Sequence, residues 1–380
     1  MTADRLMSSL LPQPGPDHLA AKELARQCAP SAAADDDGVE FRDAWKRFAD
    51  FGVYRLMIPD PDLDVDAILG TLEGLGEGTR NAGFLLSIGA HSFAAGAVIS
   101  RFGSERQRHV LDLMRDGSAI AAFAATEPEA GSDVMSLRTR CVAVDDDYVL
   151  DGTKHFITNA RVADYYVIFA TKDRRLNYRG VTAFLVSRDT PGLSVGPPQR
   201  LIGLTGCSMG TMHLDSVRVP ESALLGRLGQ GSLVFRHAML WERSLLAALA
   251  LGAMRRQLTD VIDIAQADDQ RAETSPGRPD VVHLAADIAG RYLVGRLLVR
   301  DTMTKLAADE LTPAQASLTK LWISEAELAT SRELAGIDRT AELVSGVRTG
   351  DLLDATGSTI YSGTSDIQRK IIAAGLGISQ

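Results

Sequence analysis

The chain has 380 residues and a formal net charge of −9 with no sustained basic run, which excludes nucleic acid and an anionic membrane as expected partners. Apolar residues make up 45% and the mean hydropathy is near zero, a globular composition long enough for two or three units sharing large cores. Cys28, Cys141 and Cys207 lie far apart with no metal-ligand or disulfide spacing, so no metal is expected and a reducing cytoplasm is the expected location.

Residues 1–6 carry no basic region ahead of an apolar core, so no signal peptide is expected. Residues 245–254, read as the most apolar stretch, are too short to span a bilayer. From 1 to 118 the pattern predicts a helical domain. Phe48, Phe51, Leu56 and Ile58 sit among charged residues, and Leu69, Leu72 and Leu75 recur at helical spacing. Pro12 and Gly15 mark a loop, and the run Asp35, Asp36, Asp37, Gly38 reads as a solvated turn.

From 119 to 225 the pattern changes. Residues 141–144, 148–150, 165–170 and 181–186 are β-branched or aromatic runs separated by turns containing Asp and Gly, which predicts an antiparallel, barrel-like β domain. From 226 to 380 long helices return, predicted over 232–266, 281–308, 313–334 and 365–374, with Gly375 and Gly377 ending the last. The fold class is therefore α+β: an N-terminal α-helical domain, a central antiparallel β-barrel-like domain and a C-terminal four-helix-bundle-like domain.

Four segments carry chemistry. The first is Phe123-Ala124-Ala125-Thr126-Glu127-Pro128-Glu129-Ala130-Gly131-Ser132-Asp133, and the second is Lys154-His155-Phe156-Ile157-Thr158-Asn159-Ala160. The third is Trp241-Glu242-Arg243, inside a long helix, and the fourth is Tyr361-Ser362-Gly363-Thr364-Ser365-Asp366. Together they resemble the acyl-CoA dehydrogenase family over roughly residues 40–375. The resemblance implies the acyl-CoA dehydrogenase fold and an FAD cofactor. It also implies α,β-dehydrogenation of an acyl thioester, on CoA or on an acyl carrier protein, to a 2-enoyl thioester.

The resemblance also assigns residues. Phe123, Ala125, Thr126, Gly131 and Ser132 would line the flavin and its pyrophosphate, with small residues admitting backbone amides. Phe156 stands where the family usually has tryptophan, Ile157 accompanies it, and the Thr158 hydroxyl would meet flavin N5. His155 is expected to be structural, and Met209 to be packing. Thr364, Ser365 and Asp366 would face the FAD diphosphate at a helix N-terminus, although a negative Asp366 suits capping better. The adenylate side departs from the family. Its Arg-x-x-Phe-Gly is missing, leaving Arg271 or Arg278 as the substitute, and its Gly-Gly turn is reduced to Ser345-Gly346.

The central departure is Ser362, where most members carry the glutamate that removes the substrate proton. A minority, including the isovaleryl-CoA and long-chain dehydrogenases, place the base on the long helix immediately before an arginine, and Glu242-Arg243 matches that arrangement. Flanked by Met239, Leu240, Leu245 and Leu246, Glu242 is expected to be desolvated, with a raised pKa suited to proton abstraction. The alternative for Glu242 is a salt bridge to a neighbouring arginine. Ser132, Arg243, Ser362 and Gly363 are expected to meet the substrate.

Two other readings use the same fold. One is a flavin monooxygenase acting on an amine or aromatic, which the serine at Ser362 favours and Glu242-Arg243 disfavours. The other is a flavin-free scaffold. The family further implies an electron acceptor, either an electron-transfer flavoprotein or oxygen, and a homodimer or homotetramer.

Overall fold

The computed structural model describes residues 7, 10–31, 38–58, 63–270, 278–337 and 346–378. The helices α1 (Pro16–Cys28), α2 (Val39–Phe51), α3 (Val53–Met57) and α4 (Val65–Gly78) come first. A long apolar helix, α5 (Ala82–Phe102), runs through a π-helical segment at Ala90–Gly96, and α6 (Glu105–Arg115) opens on a capping box between Ser104 and Gln107. The leucines at 69, 72 and 75 and Phe48 and Ile58 are buried as expected, whereas Phe51 is exposed. The acidic residues 35–37 lie outside the described residues.

α5 corrects the reading of residues 245–254 as the most apolar stretch. It is 21 residues long and apolar enough to cross a membrane by length and composition, but its apolar window is 94% buried inside the fold. It is a core helix. Buried His91 within it accepts a hydrogen bond at Nδ1 from the Ala121 amide at 3.0 Å, which ties the helix to the first strand.

The strands are β1 (Ala121–Ala124), β2 (Arg140–Val144), β3 (Asp147–Ile157), β4 (Tyr165–Thr171), β5 (Val181–Ser187), β6 (Leu193–Val195), β7 (Gly210–Pro220) and β8 (Leu224–Leu225). They form one sheet in the order β6-β7-β3-β2-β4-β5-β8, with β1 added to β4. The expected antiparallel domain is thus a mixed sheet. β1 pairs with β4 in parallel, and β2 meets β4 in parallel at Arg140 and Thr171. Run composition alone does not encode strand direction; here the crossover from β1 through β2 and β3 to β4 sets it.

Four helices of the last part fall close to their expected spans: α7 (Gly231–Gln270), α8 (Pro279–Ala307), α9 (Pro313–Ile337) and α11 (Ser365–Gly375). Between the last two lies an unforeseen helix, α10 (Val347–Ser358). Its Thr349, Gly350, Thr356 and Gly357 give it weak intrinsic helicity, so its packing against α9 holds it. α7 packs against α4, α8 and α9. α4 and α7 cross at two glycines. A Cβ on Gly76 would lie 2.0 Å from the Leu249 carbonyl oxygen, and one on Gly252 would lie 2.1 Å from that of Glu73. That close crossing sets the wall of the cavity described next.

Candidate active site

β3 delivers the second flavin-type segment directly beside the first. The His155 amide donates to the Thr126 carbonyl at 2.9 Å. A buried ion pair locks the two together: Lys154 Nζ donates to Glu127 Oε1 at 2.7 Å and to the Ala125 carbonyl at 3.2 Å. Glu127 also accepts from the Thr139 amide and hydroxyl. Burial alone would raise the Glu127 carboxyl, but Lys154 and these hydrogen bonds outweigh it and hold the group below its ordinary value. Burial pulls Lys154 down to about 8, with Glu127 opposing.

On this frame Ala125 and Ile157 are buried, Thr126 and Thr158 are half-buried, and Gly131 and Ser132 are exposed. Phe123 packs edge-on against Phe169 with ring centroids 5.0 Å apart. Phe156 is 55% exposed at a φ of +54°, an aromatic presented outward from a conformation that side chains disfavour. His155 Nδ1 lies 2.8 Å from the Thr211 hydroxyl, the structural role expected of it.

The second half of the site joins α7 to the turn before α11. Arg243 Nε donates to the Ser362 carbonyl at 2.9 Å, and Gln368 Nε2 donates to the carbonyls of Ser362 at 3.0 Å and Gly363 at 2.7 Å. Lys320 Nζ on α9 donates to the Gly363 carbonyl at 2.9 Å. Ser362 and Gly363 adopt φ of +55° and +96°. A Cβ at Gly363 would lie 2.8 Å from Gln368 Nε2, so both the turn and the clamp require glycine there.

Glu242 faces the same place. It is 8% exposed and lines a small cavity with Lys320, Glu327, Tyr361 and Ser362. Burial pushes its carboxyl above the ordinary range; the adjacent Ser362 hydroxyl, Arg243 and Lys320 oppose this without reversing it. The Ser362 hydroxyl sits beside that carboxyl without making a hydrogen bond of ordinary geometry. Arg243 turns to Ser362 and Ser317 rather than to Glu242. Burial lowers Arg243 to about 10 and Lys320 to about 8.

A second cavity, with Leu85, Leu86, Leu246 and Leu249 among its walls, shares Leu246, Ala250, Glu327 and Tyr361 with the first. The two cavities are therefore adjacent, and the second combines leucine walls with the charged Arg80, Arg256, Glu327, Asp351 and Asp354.

Other expected residues sort differently. Thr364, not Asp366, caps α11, its hydroxyl accepting from the Ile367 amide. Asp366 lies two positions past the cap, inside the first turn, and pairs with Arg369 at 3.1 Å on the exposed side. Ser365 Oγ is buried without a hydrogen-bond partner. Gly346 precedes α10 at a φ of +63°. Arg278 bridges Asp280 and the Ile337 carbonyl, each at 2.8 Å. Arg271 and Ser345 lie outside the described residues. No hydrogen bond or ion pair between described residues joins the Thr126–Phe156 half directly to the Glu242–Ser362 half.

Sequence reading passed over Lys320, Glu327 and Gln368. Lys320 and Glu327 are seven positions apart, two turns on one face of α9, and that spacing was the available signal. Gln368 left none, since an isolated glutamine in an amphipathic helix reads as surface.

The chain matches two family models: the acyl-CoA dehydrogenase middle domain over residues 122–217 and the acyl-CoA dehydrogenase C-terminal domain over residues 229–377. It is 33% identical to an L-prolyl-[peptidyl-carrier protein] dehydrogenase of Serratia sp. (strain ATCC 39006), over 81% of this chain and 80% of the relative. Among solved structures it resembles the prolyl acyl carrier protein oxidase AnaB, with a TM-score of 0.86 and 32% identity over 96% of this chain and 99% of that one. It also resembles PigA with FAD and proline, with a TM-score of 0.86 and 28% identity over 95% and 97% of the two chains.

The residues fit FAD. The buried, unpartnered Ser365 hydroxyl beside a helix N-terminus suits a phosphate, and the outward Phe156 ring offers an aromatic wall. The chain belongs to the acyl-CoA dehydrogenase family, as an FAD-dependent oxidoreductase that dehydrogenates a CoA- or carrier-bound acyl thioester across a CH–CH bond.

Proposed function

We propose that Glu242 is the base of this dehydrogenase and that the chain represents the branch with its base on the long helix. The observation that carries the reading is Glu242 itself, buried in a cavity with Ser362, where most of the family has its glutamate. A carboxylate that burial makes more basic is matched to an α-proton acidified by its thioester.

Bound FAD supplies the two-electron acceptor that takes the β-hydrogen as hydride. Glu242 takes the α-proton, and the C=C bond forms between the two carbons. The Ser362 amide polarises the thioester carbonyl, in a turn held rigid by Arg243, Lys320 and Gln368. Gly363 keeps that turn open. Thr158 and Phe156, with Thr126 and Ile157, would hold the flavin; Ser132, Ser365, Thr364 and Gly346 would meet its phosphates and adenylate side.

The names of the relatives favour a carrier-protein thioester over a CoA thioester, and an aminoacyl group such as prolyl over a simple fatty acyl group. Exposed Val294, Leu297, Leu318 and Trp322 on α8 and α9 support a homodimer or homotetramer. Three free thiols support a cytoplasmic location. The proposed structural units are an N-terminal helical, a central β and a C-terminal helical one, divided near residues 118 and 225.

The test is an anaerobic titration of the FAD-loaded protein with saturated acyl thioesters on CoA and on a carrier protein, following flavin absorbance. The wild type bleaches. Glu242→Gln retains FAD and does not bleach, a loss of about 10²–10⁴-fold or more. Unchanged bleaching in that variant removes Glu242 from the role.

A further inference from the structure

Glu327 is a buried acid that the reaction above does not use. It sits on α9, 9% exposed, at the junction of the two cavities, and its Oε2 has no hydrogen-bond partner. An unpaired buried carboxylate oxygen is costly, and on a residue that lines a cavity a partner from outside the chain can relieve that cost.

The surrounding charges show which kind of partner. Glu327, Asp351 and Asp354 line the larger cavity against Arg80 and Arg256. Both guanidinium groups are already committed. Arg80 pairs with Asp351 and Asp260, and Arg256 pairs with Asp351 and donates to the Thr79 carbonyl at 2.8 Å. Asp354 accepts the Leu204 amide. At the other end, Lys320 lies two helical turns from Glu327, roughly 10 Å along α9, and is held by the Gly363 carbonyl. Among the described residues Glu327 makes no ion pair, and the nearest guanidinium, Arg256, is spent on Asp351 and the Thr79 carbonyl. Burial, with Asp354 and Asp351 nearby, pushes it up to about 7, with the Ser358 hydroxyl and Arg256 opposing. Asp354 rises to about 6 for the same leading reason. Such a site repels an anionic acyl tail and rewards a positive one.

We infer that Glu327 is a specificity-determining residue that binds a protonated amine carried on the acyl group, so that the site selects aminoacyl over purely hydrocarbon thioesters. The inference rests on the dehydrogenase reading given above. The amine takes no part in the electron balance: the α-proton goes to Glu242, the β-hydride to FAD, and the ammonium stays paired with Glu327. The walls of Leu85, Leu86, Leu246 and Leu249 take the hydrocarbon part of a compact group such as a pyrrolidine ring.

The experiment compares a prolyl thioester of pantetheine with its cyclopentanecarbonyl isostere, which keeps the ring and lacks the nitrogen. Both are titrated anaerobically into the FAD-loaded full chain, wild type and Glu327→Gln, and the half-saturating concentration for flavin bleaching is read. The wild type is expected to favour the prolyl thioester by about tenfold or more, the range of a charge-assisted hydrogen bond. Glu327→Gln is expected to lose most of that preference by weakening the prolyl thioester alone. A variant that weakens both thioesters equally would mark a merely structural role and overturn the inference. So would a wild type with no preference, or one that the prolyl thioester fails to bleach. The wild-type comparison stands whether or not the variant folds. Bleaching by both thioesters without preference leaves the Glu242 reading intact, whereas Glu242→Gln tests that reading alone.

Discussion

Arg243 and Ser362 are 119 positions apart and joined by a 2.9 Å hydrogen bond from guanidinium Nε to backbone carbonyl. The bond fastens the first third of the 40-residue helix α7 to the turn ahead of α11. It explains why the arginine follows the glutamate directly. Arg243 holds the turn, and Glu242, one residue earlier, is left facing the cavity that the turn closes.

The first prediction concerns pH. A base must be ionised to act, and burial raises the Glu242 carboxyl above its ordinary range. The rate of flavin reduction by a thioester therefore falls as pH decreases through that raised value, before ordinary carboxylates protonate. Stopped-flow reduction across pH 5 to 9 checks this. A rate that stays flat down to the ordinary carboxylate range would show that the base is not a buried carboxyl.

Restoring the family's usual glutamate is expected to fail. Ser362→Glu places a second carboxylate in a small cavity that Glu242 already lines. Two like charges there raise each other's pKa and crowd the space beside the α-carbon. Flavin reduction in this variant is expected to drop, by about tenfold or more where one of the pair stays protonated at neutral pH. A rise in rate would show that position 362 still works as a base site.

Much of this was legible in sequence because it lay in short runs. Thr126 to Asp133, Lys154 to Ala160 and Tyr361 to Thr364 carry the family in local chemistry, and the helix around Glu242 declared itself by its apolar neighbours. What was not legible depends on long-range contact. The hydrogen bond between the His155 amide and Thr126, the clamp of Gln368 on Ser362 and Gly363, and the meeting of two cavities at Glu327 join residues that no window of sequence places together. Asp366 was misjudged for a smaller reason: cap and first-turn positions differ by one or two residues, and Thr364 competes for the cap. α10 was missed because its glycines and threonines hide a helix that only packing sustains.

The Glu127–Lys154 pair makes a prediction about the cofactor. Both groups are buried, and Lys154 also holds the Ala125 carbonyl. Glu127→Gln leaves the lysine charge without its partner, which costs on the order of 3–5 kcal/mol for a broken buried pair. The frame of both flavin segments loosens, so FAD affinity and melting temperature should fall together. Lys154 is then expected to lose its proton near neutral pH. Fluorescence release of flavin and a thermal melt measure the two effects; a loss of neither would mean the pair is dispensable.

The last prediction lies away from the cavity, in the cluster where α1, α4 and α7 meet. Glu77 is buried and accepts from His18 Nε2 at 2.5 Å and Lys22 at 2.7 Å, with Arg255 at 3.2 Å. Burial would raise its carboxyl, but these partners outweigh burial and bring it from 4.5 down to about 2. A depressed carboxylate stabilises the fold above its unfolded value of 4.5, and that contribution is lost as pH falls from there towards 2. Burial would lower His18, yet Glu73 and Glu77 raise it on balance, so its share is full below 6.5 and fades as pH rises through the raised value. Glu77→Gln removes its own contribution and part of that of His18, which keeps Glu73, at about 3–5 kcal/mol near neutral pH. Urea midpoints from pH 3 to 8 should therefore show a lower and flatter profile for the variant, converging with wild type at the acid end. Parallel profiles, offset equally at every pH, would mean that the cluster packs as neutral groups and that its charges do not set the stability.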